Sequence, residues 1–297
     1  MQQVVAYLGP GGTFTEVAAR HFFTGQTARF DPYPNISNVL DAVSEGRAEY
    51  GVVPIENSIE GTVTMTMDWL IHQVDLTLKA ELTLPISQQL ISASRREFHE
   101  IKKVYSHPQA VAQCRMFLHQ HLPHAEIEYT SSTAAAVQSM MEQPEQPWAA
   151  IGTRLARSLY RAEFLGEDIQ DHDHNQTRFV MVGTADAPLL QRTQEDKAKS
   201  TYAIRLNSDY PGALHRVLSA FASRQLNLTK IESRPTKKEL GSYYFILDVE
   251  RDCQDERLAS AIAEIEKLGC DVRWFGSYPV YQDQPVTTSV PQGKGAR

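Results

Sequence analysis

Three stretches of the 297-residue sequence hold residue types and spacings that could do chemistry. In Asn175-Gln176-Thr177-Arg178-Phe179-Val180-Met181-Val182-Gly183 a polar cluster runs into an apolar run and stops at glycine. That is the pattern of a loop feeding a short buried strand. Thr177, at the junction, is the residue we single out for chemistry. Gly9-Pro10-Gly11-Gly12-Thr13 follows a strand-like run and precedes a helical one, so its backbone N–H groups could approach an anion. Pro54-Ile55-Glu56-Asn57-Ser58-Ile59-Glu60-Gly61-Thr62 stands in the same relation to a second strand and helix. For each loop the alternative is a plain turn with an N-cap.

Other polar residues read more simply. His172-Asp173-His174 has metal-like spacing, but no Cys or further His lies nearby, so a solvated loop is expected and no metal. Cys114 follows an apolar helical pattern and reads as core. His107 precedes Pro108 and reads as a loop or cap residue.

The elements that must position these residues alternate. A strand over 3–8 leads to a helix from Thr13 to about Phe23, with Thr13 and Glu16 spaced as a capping box. A strand at 28–33, a helix at 36–45, a strand at 50–53 and a helix at about 63–72 repeat the unit. Such alternation implies parallel sheet with right-handed crossovers, and ligands beyond the C-terminal strand ends. An alternating stretch over 76–92 leads into further strands near 104–106, 125–130 and 148–152, with helices between. We expect two α/β lobes, residues 1–183, joined by crossings near 76–84 and 155–164, with a cleft between.

A polar linker is expected over 184–199. Beyond it the pattern is strand, helix, strand, strand, helix, strand within residues 200–281, a ferredoxin-like βαββαβ arrangement. Residues 282–297 are polar with Pro and Gly, and disorder is expected there. The net charge is −7. It divides unevenly: residues 1–183 carry 13 Lys and Arg against 21 Asp and Glu, residues 184–297 carry 16 against 15. No clustered basic face appears, so a nucleic-acid partner is not expected. No apolar run approaches the roughly 20 residues of a membrane helix, and the first residues lack a basic leader. Three cysteines at odd spacing argue against a disulfide framework. Cytoplasm is the expected compartment.

Together these pieces resemble prephenate dehydratase carrying a C-terminal ACT regulatory domain. The resemblance runs from Val4 to Tyr281. Its motifs, in family order, start with Gly9-Pro10-Gly11-Gly12-Thr13-Phe14-Thr15-Glu16 and Val53-Pro54-Ile55-Glu56-Asn57-Ser58-Ile59-Glu60-Gly61. Ser106-His107-Pro108-Gln109-Ala110 with Gln113-Cys114, then Ser132-Thr133-Ala134, then Asn175-Gln176-Thr177-Arg178-Phe179 complete the first part. Gly212-Ala213-Leu214 and Glu232-Ser233-Arg234-Pro235 look like the phenylalanine-binding signatures of the second.

The resemblance implies a two-lobed catalytic domain like the type II periplasmic-binding-protein folds, and a reaction in which prephenate loses CO2 and its ring hydroxyl to give phenylpyruvate. Gain of aromaticity drives that step, so no cofactor is implied. Thr177 is the implied essential residue; a threonine hydroxyl is too weak an acid to deliver a proton outright, so it should hydrogen-bond the departing oxygen. Asn57, Ser106 and Gln113 become polar cleft residues, and Thr13, Phe14, Ser58 and Phe179 substrate neighbours. Arg178 is the natural carboxylate fork, with an interlobe salt bridge as its alternative use. Glu56 and Glu60 are awkward beside a dianion, and a hinge or hydrogen-bonding role suits them better than general acid. L-phenylalanine is the implied inhibitor, its carboxylate at Asp209, Gly212, Ala213 and Leu214 and its amino group near Glu232, with Ser233, Arg234 and Pro235 alongside. Paired regulatory domains imply a homodimer or homotetramer. Arogenate dehydratase is the nearest alternative; a solute-binding protein and a regulator's sensor domain are the others.

Overall fold

The computed structural model describes residues 3–189, 197–207 and 210–282. The chain starts with β1 (Gln3–Leu8), α1 (Phe14–Phe22), β2 (Ala28–Tyr33), α2 (Ile36–Ser44), β3 (Tyr50–Asn57), β4 (Gly61–Thr62), α3 (Thr64–His72) and β5 (Thr77–Pro85). Thr13 caps α1 by accepting the Glu16 N–H, and Asn35 caps α2 by accepting that of Asn38. Each side-chain cap takes up a donor the helix cannot satisfy internally. α1 buries Ala18, Ala19 and Phe22, and α2 buries Val39, Leu40 and Val43, on opposite faces of the sheet.

The alternating run over 76–92 is two strands, because the chain leaves the first lobe after Pro85. The second lobe holds β6 (Gln89–Ser92), β7 (Lys103–Ser106), α4 (Pro108–Gln113), α5 (Arg115–His121), β8 (Glu126–Tyr129), α6 (Thr133–Met141), β9 (Trp148–Gly152), α7 (Arg154–Tyr160) and β10 (Glu163–Gly166). Its sheet order is β10-β6-β9-β7-β8. The chain returns over 167–175 and enters β11 (Gln176–Gly183). The crossings therefore lie at 86–88 and 167–175, later than the sequence pattern suggests. They run side by side: Ile86 N–H donates to the Asn175 carbonyl at 2.8 Å and Ile169 N–H to that of Gln88 at 2.9 Å.

The parallel pattern holds among β1, β2 and β3. β11, arriving from the other lobe, lies antiparallel between β3 and β5, which makes the sheet mixed. This is the strand that carries Thr177.

The lobes also meet across the cleft mouth. Thr153, the N-cap of α7, donates its hydroxyl to the Gly12 carbonyl at 2.6 Å. Gly12 has φ +91°, and a Cβ there would lie 2.9 Å from the Cβ of Ala156. We expect Gly12→Ala to cost about 1–2 kcal/mol from the left-handed backbone alone, with the clash pushing α7 away. The check is a thermal unfolding midpoint and kcat/KM, both of which should fall; unchanged values would show that the lobes do not need this contact.

The third part comprises β12 (Lys197–Arg205), α8 (Ala213–Ala222), β13 (Leu228–Pro235), β14 (Tyr243–Val249), α9 (Glu256–Lys267) and β15 (Asp271–Gln282). This is the βαββαβ arrangement, ordered β13-β14-β12-β15. α8 and α9 cover one face, around Val217, Phe221, Leu258 and Ile265. Strand β12 begins at Lys197, inside the stretch read as linker. Lys199 looks like a linker lysine, yet it is buried with Nζ 2.6 Å from Glu81 Oε1 on β5. Residues 190–196 of that stretch and 283–297 of the tail lie outside the described residues.

The end of β15 pairs in parallel with β5, Val280 opposite Glu81 and Tyr281 opposite Leu82. Ten strands thus form one sheet, with β4 attached to β3 off the main order. Gly276 permits the approach: its φ is +139°, and a Cβ would collide with the Leu78 carbonyl oxygen.

Candidate active site

A cleft of about 530 Å³ lies between the lobes. β11 forms its floor. Successive residues of an extended strand face opposite sides, so Asn175, Thr177 and Phe179 line the cleft while Arg178 does not. Thr177 is 8% exposed and lies opposite Asn57 of β3 in the sheet register.

The hydrogen bonds around Asn57 fix the direction of the Thr177 hydroxyl. Asn57 Oδ1 accepts the N–H groups of Ile59 and Glu60 at 2.9 and 3.1 Å, holding the β3–β4 turn. Its amide nitrogen therefore faces β11 and donates to Thr177 Oγ1 at 2.9 Å and to Asn175 Oδ1 at 2.9 Å. With a donor already on its oxygen, the Thr177 hydroxyl is left to give its own hydrogen elsewhere. It stands in the wall of the cleft, so a bound molecule is the natural acceptor.

Helix N-termini surround this point. α1 contributes Phe14 and Thr15 just after its cap, α3 contributes Thr64 and Met65, and α6 contributes Ser132 and Thr133. Ser132 caps α6 through the Ala135 N–H at 3.0 Å. First-turn N–H groups and the positive helix end favour anions. Among the described lining residues there is no Lys or Arg, and Glu60 is the one carboxylate. An anion here would be met by neutral donors. Gln113 also lines the cleft, its Oε1 accepting from Gln88 Nε2 at 3.2 Å. Thr13 lines it too while donating its hydroxyl to the Leu8 carbonyl at 2.9 Å. Asn175, His107, Gln109 and Thr133 are lining residues that stand inside the quoted motifs without a site role assigned to them, and Gln88 is one that lies outside the motifs. The alternation along β11 and the helix-start position of Gln109 and Thr133 were the signals for them.

Several expected cleft residues lie elsewhere. Arg178 faces the third part of the chain: NH1 is 2.9 Å from Glu56 Oε2, Nε 3.1 Å from Glu81 Oε2 and NH2 2.5 Å from Asp248 Oδ2 of β14. Burial opposes its charge, but Asp248 and Glu81 outweigh that and hold its pKa above the ordinary arginine value. A guanidinium so occupied has no fork left for a substrate carboxylate. Glu56 shares that side, 3.5 Å from Lys230 Nζ, and does not line the cleft. Ser106 is fully buried inside the second lobe, donating to the Ile151 carbonyl at 3.2 Å. Ser58 accepts the Gln176 N–H at 2.9 Å and donates to the His174 carbonyl at 3.3 Å, which pins the return crossing. Cys114 is buried and its thiol pushed up to about 12 by that burial, as a core residue should be.

In the third part, Ala213 borders a cavity of about 220 Å³ shared with Leu206, Asn207, Tyr210, Gly269 and Cys270. Gly212 is the N-cap of α8, and Leu214 is in its first turn. Asp209 lies outside the described residues. The Glu232–Pro235 motif does not reach this cavity within one chain. Alternation on β13 turns Glu232 and Arg234 toward the first lobe and leaves Ser233 and Pro235 exposed. Glu232 Oε2 accepts the Thr62 hydroxyl at 2.8 Å, and Arg234 pairs with Asp68 of α3 at 2.5 Å. Glu232 is therefore an interdomain contact, and Thr62 is itself a cleft residue.

A two-lobed α/β cleft floored by a crossing strand, fused through its sheet to a ferredoxin-like domain, defines the class: a two-lobed cleft protein with an attached βαββαβ module. The prephenate dehydratase family model matches residues 5–187, and the ACT domain model matches residues 203–268. The chain is 42% identical over 283 residues to a prephenate dehydratase of Bacillus subtilis, covering 94% of this chain and 99% of that one. It is 36% identical to one from Methanocaldococcus jannaschii, covering 95% and 100%. Among solved structures, prephenate dehydratase from Arthrobacter aurescens in complex with L-Phe superposes with a TM-score of 0.80 at 37% identity, covering 93% of this chain and 89% of that one. The Staphylococcus aureus enzyme gives 0.79 at 34%, covering 94% and 100%. The chain belongs to the prephenate dehydratase family and carries an ACT domain. Among the described residues no helix is long and apolar enough to cross a membrane.

Proposed function

We propose that this prephenate dehydratase binds prephenate in the interlobe cleft with the ring hydroxyl at Thr177 and the carboxylates at the N-termini of α1 and α6. The observation that carries this reading is the Thr177 hydroxyl, its oxygen occupied by Asn57 and its hydrogen free for the cleft. In the reaction the C–C bond pair of the leaving CO2 becomes a ring double bond. The C–O bond pair leaves with the hydroxyl oxygen, which takes one proton from solvent and departs as water. Thr177 stabilises charge growing on that oxygen and Asn57 holds the threonine in place. Two carboxylates are accommodated by backbone N–H groups at the starts of α1 and α6 and by the Ser132 and Thr133 hydroxyls, which are fixed by the fold before substrate arrives. Purified protein given prephenate or arogenate should form phenylpyruvate from the first far faster than phenylalanine from the second. The reverse preference would reassign the substrate while keeping the chemistry.

L-phenylalanine acts at the ACT domain, with its carboxylate at the start of α8. Because Ser233 and Pro235 are exposed on the edge strand β13, a second copy of the chain is needed to bring them against an α8 N-terminus, which favours a homo-oligomer. The signal has a short path: Glu232 and Lys230 both bond Thr62 of the cleft wall. We expect Gly212→Asp, which sets a negative charge where the effector carboxylate belongs, to raise the half-inhibitory phenylalanine concentration at least about tenfold, a coupling loss of about 1.4 kcal/mol. Turnover without phenylalanine should be unchanged. Equal sensitivity in variant and wild type would remove α8 from the effector site.

A further inference from the structure

Asn175 holds a buried polar group for which the hydrogen bonds described so far give no use. It is 2% exposed, lines the cleft, and its Nδ2 has no hydrogen-bond partner among the described residues. Its orientation is set by the backbone rather than chosen. Two backbone N–H groups hold Asn57 Oδ1, so Asn57 must offer its nitrogen to β11, and what it meets at 2.9 Å must be the oxygen of Asn175. The Asn175 amide N–H groups are then at the other end of the side chain. Leaving such a donor buried and unpaired costs about 1–3 kcal/mol, and a molecule bound in the cleft that Asn175 lines would offset that cost by accepting from it.

Its place beside Thr177 tells which part of the ligand. Asn175 Oδ1 and Thr177 Oγ1 are each 2.9 Å from the same Asn57 nitrogen, and both residues line the cleft, Asn175 at the end of the return crossing and Thr177 in β11. We propose that Asn175 is a second substrate-contacting donor: its Nδ2–H and the Thr177 hydroxyl together receive the departing ring oxygen. Ionised prephenate has only one hydrogen to donate, on that hydroxyl, and acceptors everywhere else, so a site for it must be built of donors. The two residues form a pair of donors preset around an oxygen on which charge develops, and Asn57 fixes both at once. No proton transfer from Asn175 is involved; the amide keeps its hydrogens, and the proton that makes water comes from solvent as before. This assignment rests on the reading of the cleft as the prephenate site.

Asn175→Asp tests it, because the carboxylate still accepts from Asn57 and loses only the unpartnered N–H. We expect kcat on prephenate to fall about 10²-fold at neutral pH. As pH is lowered the introduced carboxyl protonates and regains a hydrogen to donate, so the variant's activity relative to wild type should climb. A residue that merely braced Asn57 would show neither effect. Turnover within threefold of wild type, flat across pH, overturns the proposal. If Asn175→Asp does not fold, Asn175→Ser, which keeps a hydroxyl donor, should outperform Asn175→Ala, and equal turnover of the two overturns it. Thr177→Ala measured alongside separates the two readings: if that variant also keeps its turnover, the cleft itself has been misassigned.

Discussion

Thr177→Ala is expected to lower kcat on prephenate by about 10²–10³-fold, equivalent to about 2.7–4 kcal/mol of transition-state stabilisation, while KM changes little. The asymmetry follows from what the hydroxyl contacts. In the ground state the ring oxygen is a neutral alcohol, and one hydrogen bond to it is worth little beyond what water offers. As the C–O bond lengthens the oxygen gathers negative charge, and the preset donor gains strength without reorganising. Only the later interaction raises kcat. Thr177→Ser keeps the hydroxyl and should retain most activity, whereas Thr177→Val keeps the shape and should behave as the alanine variant. Steady-state assays of all three at saturating prephenate make the check. Turnover within threefold of wild type in the valine variant would take the threonine out of the chemistry.

Arg178→Leu produces its largest effect on stability. The guanidinium stands between Glu81 and Asp248, which are 2% and 1% exposed, and removing it leaves those carboxylates buried with less compensation. Loss of one partner from a buried ionic cluster costs about 3–5 kcal/mol. We expect a urea unfolding midpoint lowered by that equivalent and a KM for prephenate within about threefold of wild type, the folded fraction being compared. Lys199 also bonds Glu81, and Thr201 also bonds Asp248 at 2.7 Å, which holds the cost toward the lower figure. A variant of wild-type stability whose KM rises a hundredfold would return this arginine to the substrate.

Much of the architecture is legible in the sequence because local signals agree with the tertiary result. Thr13 and Glu16 mark the start of α1, β2 is bounded as the pattern predicts, and the βαββαβ order follows from turns at Gly212, Gly241 and Gly269. The motifs locate Thr177 and Asn57, and the fold places both in the cleft. What the motifs cannot supply is the side of the strand. Arg178 and Glu56 adjoin cleft-lining positions in sequence, yet strand alternation sends them to the opposite face, where they meet Asp248 and Lys230 from far along the chain. The same alternation turns Glu232 inward. Crossing points were misplaced because Pro85 ends a strand without interrupting the apolar alternation of 76–92, and β10 is too short to show a period. Lys199 fails for another reason: only the folded position of Glu81 reveals that a linker-like lysine is interior.

Main-chain bonds between β15 and β5 make the ACT domain and the first lobe one frame. That leaves the second lobe as the part able to swing, carried on two side-by-side tethers and meeting the frame again along α7, where Thr153 bonds Gly12. On the proposed effector site, phenylalanine at the distal end of the frame would act by warping the floor beneath the substrate, not by tilting the sensor as a separate body. Opening and shutting of the mouth would then be a response of the arm to a floor that has already changed.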